Sequence, residues 1–189
     1  MSEKQDRRSQ RTRHLLSEAL VQLIREKDYN AITVSDIIER ANVGRSTFYA
    51  HYRDKDDLFV GELDRVIDIL SRGIHHETRD DDWFFPSLGL FRHVGEEYEL
   101  YKALLWGSGI DLLIQHLQKS LSKRIELGLQ GSGREFNVPI PVLGNFISGS
   151  FLTLLKWWLE NKMIYSPEEM NEIFKSLTTT GIEAQQRKR

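Results

Sequence analysis

Apolar positions recur at intervals of three and four along most of this chain, and no segment alternates apolar and polar residues for long. The first pattern marks helices that bury one stripe, the second marks half-buried strands. An all-α protein is therefore expected. A first helix is predicted from about Gln10 to Lys27, where Leu15, Ala19 and Leu23 recur with Leu16, Leu20 and Ile24 beside them. Asp28-Tyr29-Asn30 interrupts it. Thr33, with Asp36 at capping-box spacing, opens a second helix whose apolar face is Val34, Ile37, Ile38 and Ala41. Asn42-Val43-Gly44 makes the turn, with Val43 as its apolar plug. The third helix, about Arg45 to His51, is short and has one residue that demands burial, Phe48. Asp54 caps a fourth, which carries Leu58, Phe59, Leu63, Val66, Ile67 and Leu70 on to about Gly73.

Beyond it, HHETRDDDWFFP reads as a connection between a head of residues 1–56, with its linking helix to about 73, and a larger body of 74–189. Body helices are predicted near 87–98, 100–106 and 109–128. A Gly-rich loop follows from Leu129 to Pro139, then a long apolar helix from about Ile140 to Asn161. Ser166-Pro167-Glu168-Glu169 starts the last helix, with Ser as cap and Pro in the first turn, and it fades into the QQRKR tail. There is no internal repeat.

Composition narrows the classes. With 189 residues the chain can form one sizeable core, or a small head on a larger body. No apolar run approaches the roughly 20 residues that span a bilayer, and the first 16 residues do not read as a secretory signal. The absence of Cys excludes disulfides, thiolate catalysis and Cys-based metal sites, and permits a reducing cytoplasm. A net charge of −2 argues against coating nucleic acid by charge alone. Residues 1–15 nonetheless concentrate Lys4, Arg7, Arg8, Arg11 and Arg13 against only Glu3 and Asp6, a basic arm placed just ahead of the two-helix unit.

That unit carries the chemistry. Arg bonds bidentately to guanine, Ser and Thr reach base edges or phosphate, and Tyr offers an apolar body with a hydroxyl. Arg45, Ser46, Thr47 and Tyr49 supply this set within two turns, and His51, Tyr52, Arg53 and Lys55 follow where the chain would cross the DNA backbone. Thr33 sits at a helix N-terminus suited to phosphate. An ordinary helical hairpin with a solvated face is the plainer alternative. The coincidence of cap, turn, plug, one-residue core helix and polar outer face favours double-stranded DNA.

The sequence T-V-x-D-I-x-x-x-A-x-V-x-x-S-T-F-Y-x-H-Y-x-x-K-D-D-L resembles the N-terminal domain of the TetR family of bacterial transcriptional regulators over about Arg11 to Leu70. The resemblance implies a three-helix DNA-binding head, a helical effector-sensing body, a homodimer and, most often, repression. It places Thr33, Arg45, Ser46, Thr47, Tyr49, His51 and Lys55 at family DNA-contact positions, with Tyr49 and Lys55 on phosphates and Arg45 and Thr47 on bases. Ala50 departs from the second aromatic that often follows the Tyr. More loosely, the body is similar to a subgroup that includes the regulator of dihydroxyacetone kinase genes. That similarity runs through Tyr98-x-x-Tyr101-x-x-Leu104-Leu105, Gly149-Ser150-Phe151, Trp157-Trp158-Leu159 and Tyr165-Ser166-Pro167-Glu168-Glu169. In that subgroup the effector is either a small molecule or another protein.

The helix from Ile140 is apolar on two faces. Leu143, Ile147, Phe151, Leu154 and Trp158 form one, and Phe146, Gly149, Thr153 and Trp157 the other. A helix apolar on two faces has more than one neighbour. The second face, with Ile173, Phe174 and Leu177, is expected to meet a second copy. Phe91, Tyr98, Trp106, His116 and Phe151, together with Trp83 and Phe84, are candidates for a ligand pocket, although aromatics at helical spacing are usually core. His75-His76-Glu77 points only weakly to a metal, so neither a metal nor a cofactor is expected. Nothing resembles a nucleophile–base pair or a phosphate loop, which leaves no enzymatic reading.

Overall fold

The structure, a computed structural model, describes residues 3–77 and 85–185. Trp83 and Phe84 lie outside the described residues, as do the side chains of His75, His76 and Glu77. The helices are α1 (Glu3–Glu26), α2 (Val34–Ala41), α3 (Arg45–Tyr49), α4 (Lys55–Glu77), α5 (Ser87–Glu96), α6 (Tyr98–Trp106), α7 (Ile110–Gly131), α8 (Ile140–Glu160) and α9 (Pro167–Glu183). A single 3-10 turn, Tyr29–Ala31, precedes α2, and no strand occurs among the described residues.

The chain forms two compact units, Met1–Arg65 with Glu99–Leu113, and Val66–Tyr98 with Ile114–Arg189. The expected division was linear in sequence; instead α6 and the first residues of α7 group with the head. The helices α4 and α7 each run from one unit into the other.

In the head, Leu16, Leu20, Leu23, Ile37, Phe48, Leu58 and Phe59 are buried. Phe48 is 0% exposed and is the anchor of a five-residue helix too short to hold itself. Its burial contributes roughly 2–3 kcal/mol. The first helix begins earlier than predicted, at Glu3 rather than near Gln10. The expected basic arm is therefore largely its N-terminal turns, because Glu, Lys, Gln and Arg propagate a helix well even without an apolar stripe.

In the body, four of the five residues expected on the inner face of α8 are there, whereas Leu154 is half-buried and lies beside Thr153 and Trp157 on the other face. Leu143, Ile147, Phe151 and Trp158 are all buried. Phe151 meets Phe85, Phe91 and Phe174 at ring-centroid separations of 4.8, 4.9 and 5.4 Å, and Phe91 meets Trp158 at 5.6 Å. The edge-on and tilted arrangements are those that aromatic quadrupoles favour. The helices α7 and α8 approach closely at Gly144, where a Cβ would lie 2.9 Å from Glu126 Cγ and 3.0 Å from the Ser122 carbonyl oxygen. Buried Ser87 donates to Asn171 Oδ1 at 2.6 Å, tying α5 to α9.

The last helix opens as its sequence predicts. Ser166 Oγ accepts from the Glu169 amide at 3.2 Å, and the Ser166 amide donates to Glu169 Oε2 at 2.8 Å. Ser166→Ala should destabilise the protein by about 1 kcal/mol, seen as a lower denaturant midpoint at unchanged slope; a midpoint equal to wild type would contradict the role of this cap.

Candidate nucleic-acid interface

The head's polar face is built on the junctions around α2 and α3. Thr33 caps α2, its hydroxyl accepting from the Asp36 amide at 3.2 Å while its own amide donates to Asp36 Oδ2 at 2.7 Å. Lys27 reaches the same carboxylate at 2.9 Å. Arg40 clamps α2 to α1 through both nitrogens of its fork, at 2.8 and 2.6 Å from the Glu26 oxygens. The turn into α3 depends on Asn42, which takes the left-handed conformation at φ 51°, ψ 49°. Asn tolerates this better than most side chains. Gly44, the last residue of the turn, has an ordinary φ of −73° and stands as the N-cap of α3.

Burial of Phe48 turns its neighbours outward. Arg45, Ser46 and Tyr49 are exposed, Tyr49 to 51%, and Thr47 is half-buried. Arg45 Nη2 donates to Ser35 Oγ at 2.9 Å, so the guanidinium lies along the N-terminus of α2. Ser35 was missed from the sequence; its signal was an outward Ser two residues after the cap of α2. His51 and Tyr52 are half-buried behind α3. Burial, and secondarily the Arg13 charge, holds the His51 imidazole below its usual pKa. Burial pushes the Tyr52 hydroxyl up.

Lys55 requires a correction. Expected on a phosphate, its ammonium is instead turned inward, donating to the carbonyls of Tyr29 and Ile32 at 2.7 and 3.0 Å. It lies 4.5 Å from the centroid of the Tyr29 ring. Two carbonyl oxygens, of which that of Tyr29 also accepts from the Ile32 amide at 3.1 Å, and a ring face satisfy the cation at this half-buried position.

Four carboxylates of the head have depressed pKa values. The Arg40 fork holds Glu26 down, hydrogen bonds from Ser108 hold Asp28, Lys27 holds Asp36, and Arg53 holds Asp57. Groups depressed on folding contribute stability that is complete above their unfolded pKa, near 4, and lost as pH falls below it. The head should therefore lose amide-exchange protection in acid from about pH 4 downward. Protection at pH 3 as strong as at pH 7 would contradict these interactions.

The candidate pocket residues are not brought to one place. Phe91 and Phe151, 0% and 1% exposed, fill the aromatic core of the body. Trp106 belongs to the other unit and is 73% exposed. Tyr98 and His116 are half-buried, on α6 and α7. Aromatic spacing could not separate a core from a cavity lining. By contrast, Phe146, Gly149, Thr153, Trp157, Ile173, Phe174 and Leu177, grouped from helical phase, line one groove of about 900 Å³ on α8 and α9. Phe174 is its buried floor, whereas Phe146, Trp157 and Leu177 are 58%, 41% and 71% exposed. Among the described residues no three His, Asp or Glu side chains are placed to hold a metal, and no helix is long and apolar enough to cross a membrane.

Residues 16–61, which contain this whole polar face, match the profile of bacterial regulatory proteins of the tetR family, and residues 81–180 match that of a transcriptional regulator C-terminal region. The chain belongs to the TetR family. Over 61 residues the chain is 46% identical to the uncharacterized HTH-type transcriptional regulator YxbF of Bacillus subtilis. That match covers 32% of this chain, which spans 16% of the relative's length. The TetR transcriptional regulator from Streptococcus agalactiae has the same fold with a TM-score of 0.63 at 28% identity, covering 92% of this chain and 97% of that one. The dihydroxyacetone kinase operon activator DhaS also superposes with a TM-score of 0.63, over 93% of this TetR-family chain and 98% of its own length. At 15% identity this shows a shared fold.

Proposed function

We propose that this TetR-family regulator binds a two-fold DNA operator in the bacterial cytoplasm as a homodimer, and that an effector in its body releases or modulates it. The observation that carries the reading is the polar face around α3. Arg45, Ser46, Thr47 and Tyr49 project from a helix held by one buried residue, Phe48, with capped Thr33 beside them. A helix so short and so anchored has its outer side chains free for a ligand, and their chemistry suits base edges and phosphates. Thr33 and Tyr49 take phosphates, and Arg45 and Thr47 read bases. Repression follows where the operator overlaps a promoter.

The groove on α8 and α9 supports the dimer. Large apolar side chains face outward there, while those of the opposite α8 face fill the body's core. Isologous pairing of this face would bury Phe146, Trp157 and Leu177 against their own copies. The effector is a small molecule or a protein. It acts only if it binds the DNA-bound and DNA-free states with different affinity.

Selection of bound duplexes from a random pool at moderate salt tests the reading. Enrichment of an inverted repeat is expected. A pool that emerges unenriched would overturn it.

A further inference from the structure

Ser108, in the α6–α7 turn, lies 80 positions from Asp28 in sequence, yet the two belong to one compact unit. The Ser108 amide donates to Asp28 Oδ2 at 3.0 Å, and its hydroxyl donates to Asp28 Oδ1 at 2.5 Å. The Asn30 amide donates to both oxygens of this pair, at 2.9 Å to Asp28 Oδ1 and 3.0 Å to Ser108 Oγ. The flanking glycines have no room for a side chain. A Cβ on Gly107 would stand 2.8 Å from the Ala103 carbonyl oxygen and 3.0 Å from Asp28 Oδ2. One on Gly109 would stand 2.7 Å from Leu104 Cδ2 and 3.2 Å from Tyr29 Cβ.

The same short segment is gripped from a second direction. At the start of α4, Lys55 holds the carbonyls of Tyr29 and Ile32, and the Tyr29 hydroxyl donates to Asp56 Oδ1 at 2.6 Å. Residues 28–32 lead directly into Thr33, the cap of α2. Their position is thus set by the first turns of α4 and the turn that begins α7, the two helices that continue into the body.

We infer that Asp28 and Ser108 are positioning residues for DNA binding: the clasp between them sets the N-terminus of α2 against a phosphate and makes that placement depend on the start of α7. The inference rests on the DNA-binding reading above. It differs from a purely structural contact because the segment it fixes carries an expected phosphate site rather than core. Removing the Ser108 hydroxyl deletes one bond to Asp28 and one from Asn30 but leaves the Ser108 amide in place. The turn should then loosen locally while the body stays folded.

The test uses the full-length protein as wild type, Ser108→Ala, Ser108→Thr and Asp28→Asn. Amide exchange is read residue by residue, and affinity for the selected operator is read across a salt series. In Ser108→Ala, exchange at Asn30 should accelerate roughly tenfold, the factor expected for one lost hydrogen bond, with α8 unaffected. Operator affinity should fall by a similar factor, with a salt slope shallower by about one phosphate contact. Ser108→Thr should restore both, and Asp28→Asn should reproduce both losses. Faster exchange with unchanged affinity and slope would overturn the inference. So would exchange that rises throughout the chain in both disruptive variants, which would mark the clasp as a folding contact. A wild-type protein that distinguishes no duplex would instead defeat the DNA-binding reading, before any variant is compared.

Discussion

Phe146→Glu should convert the proposed dimer to monomer and weaken operator binding at least a hundredfold. Phe146 lies on the open side of α8 and is 58% exposed in the single chain, so the substitution should leave the fold intact. In an isologous interface each substitution appears twice and in a shared setting. Two carboxylates would enter an apolar surface with Trp157, Ile173 and Leu177 as neighbours. Truncating a central aromatic already costs 2 kcal/mol or more at a typical hot spot, and an unpaired buried charge adds to that cost. Loss of the dimer also removes the avidity of two heads on one duplex. Light scattering at micromolar concentration reads the mass and anisotropy reads the affinity. A variant that remains dimeric and binds the operator as wild type would show that the interface lies elsewhere.

Arg45→Ala should cost about 1–3 kcal/mol of discrimination at a single position of each half-site, roughly a five- to 150-fold loss against the preferred base. Affinity for unrelated duplexes should change far less. Arg45 is exposed on α3, and its fork is already oriented by Ser35 Oγ at 2.9 Å. Holding the guanidinium in place lowers the ordering cost of a bidentate contact. Repeating the duplex selection with the variant distinguishes the roles. Relaxation at one symmetric pair of positions marks a base reader. A uniform fall across all sequences with an unchanged motif would make Arg45 a phosphate ligand and retire the assignment.

What could be read from the sequence was what short-range physics determines. The Thr33–Asp36 and Ser166–Glu169 boxes need only a cap and an acid three residues on, and both formed. The burial of Phe48 follows from its being the one apolar residue that can anchor α3. The two faces of α8 follow from helical phase, which placed Phe146, Gly149, Thr153 and Trp157 opposite Phe151 and Trp158. Contacts chosen by tertiary structure were not legible. Nothing near Asp28 announces Ser108, because the bond joins segments whose proximity exists only after folding. Lys55 looks the same in sequence whether it meets a phosphate or two carbonyls, and the carbonyls that folding brings beside it decided. Trp106 and Phe91 have similar spacing and opposite fates, one 73% exposed and the other 0%. The extra turns of α1 were missed because charged residues propagate a helix without an apolar stripe to reveal it.

The central claim is that α3 is displayed twice by a symmetric pair of chains. Footprinting on a selected duplex, with the mass of the complex measured alongside, tests it most directly. Two inverted half-sites, a helical turn or a multiple of it apart and occupied by an even number of chains, are expected. One asymmetric site protected by a single chain would contradict it.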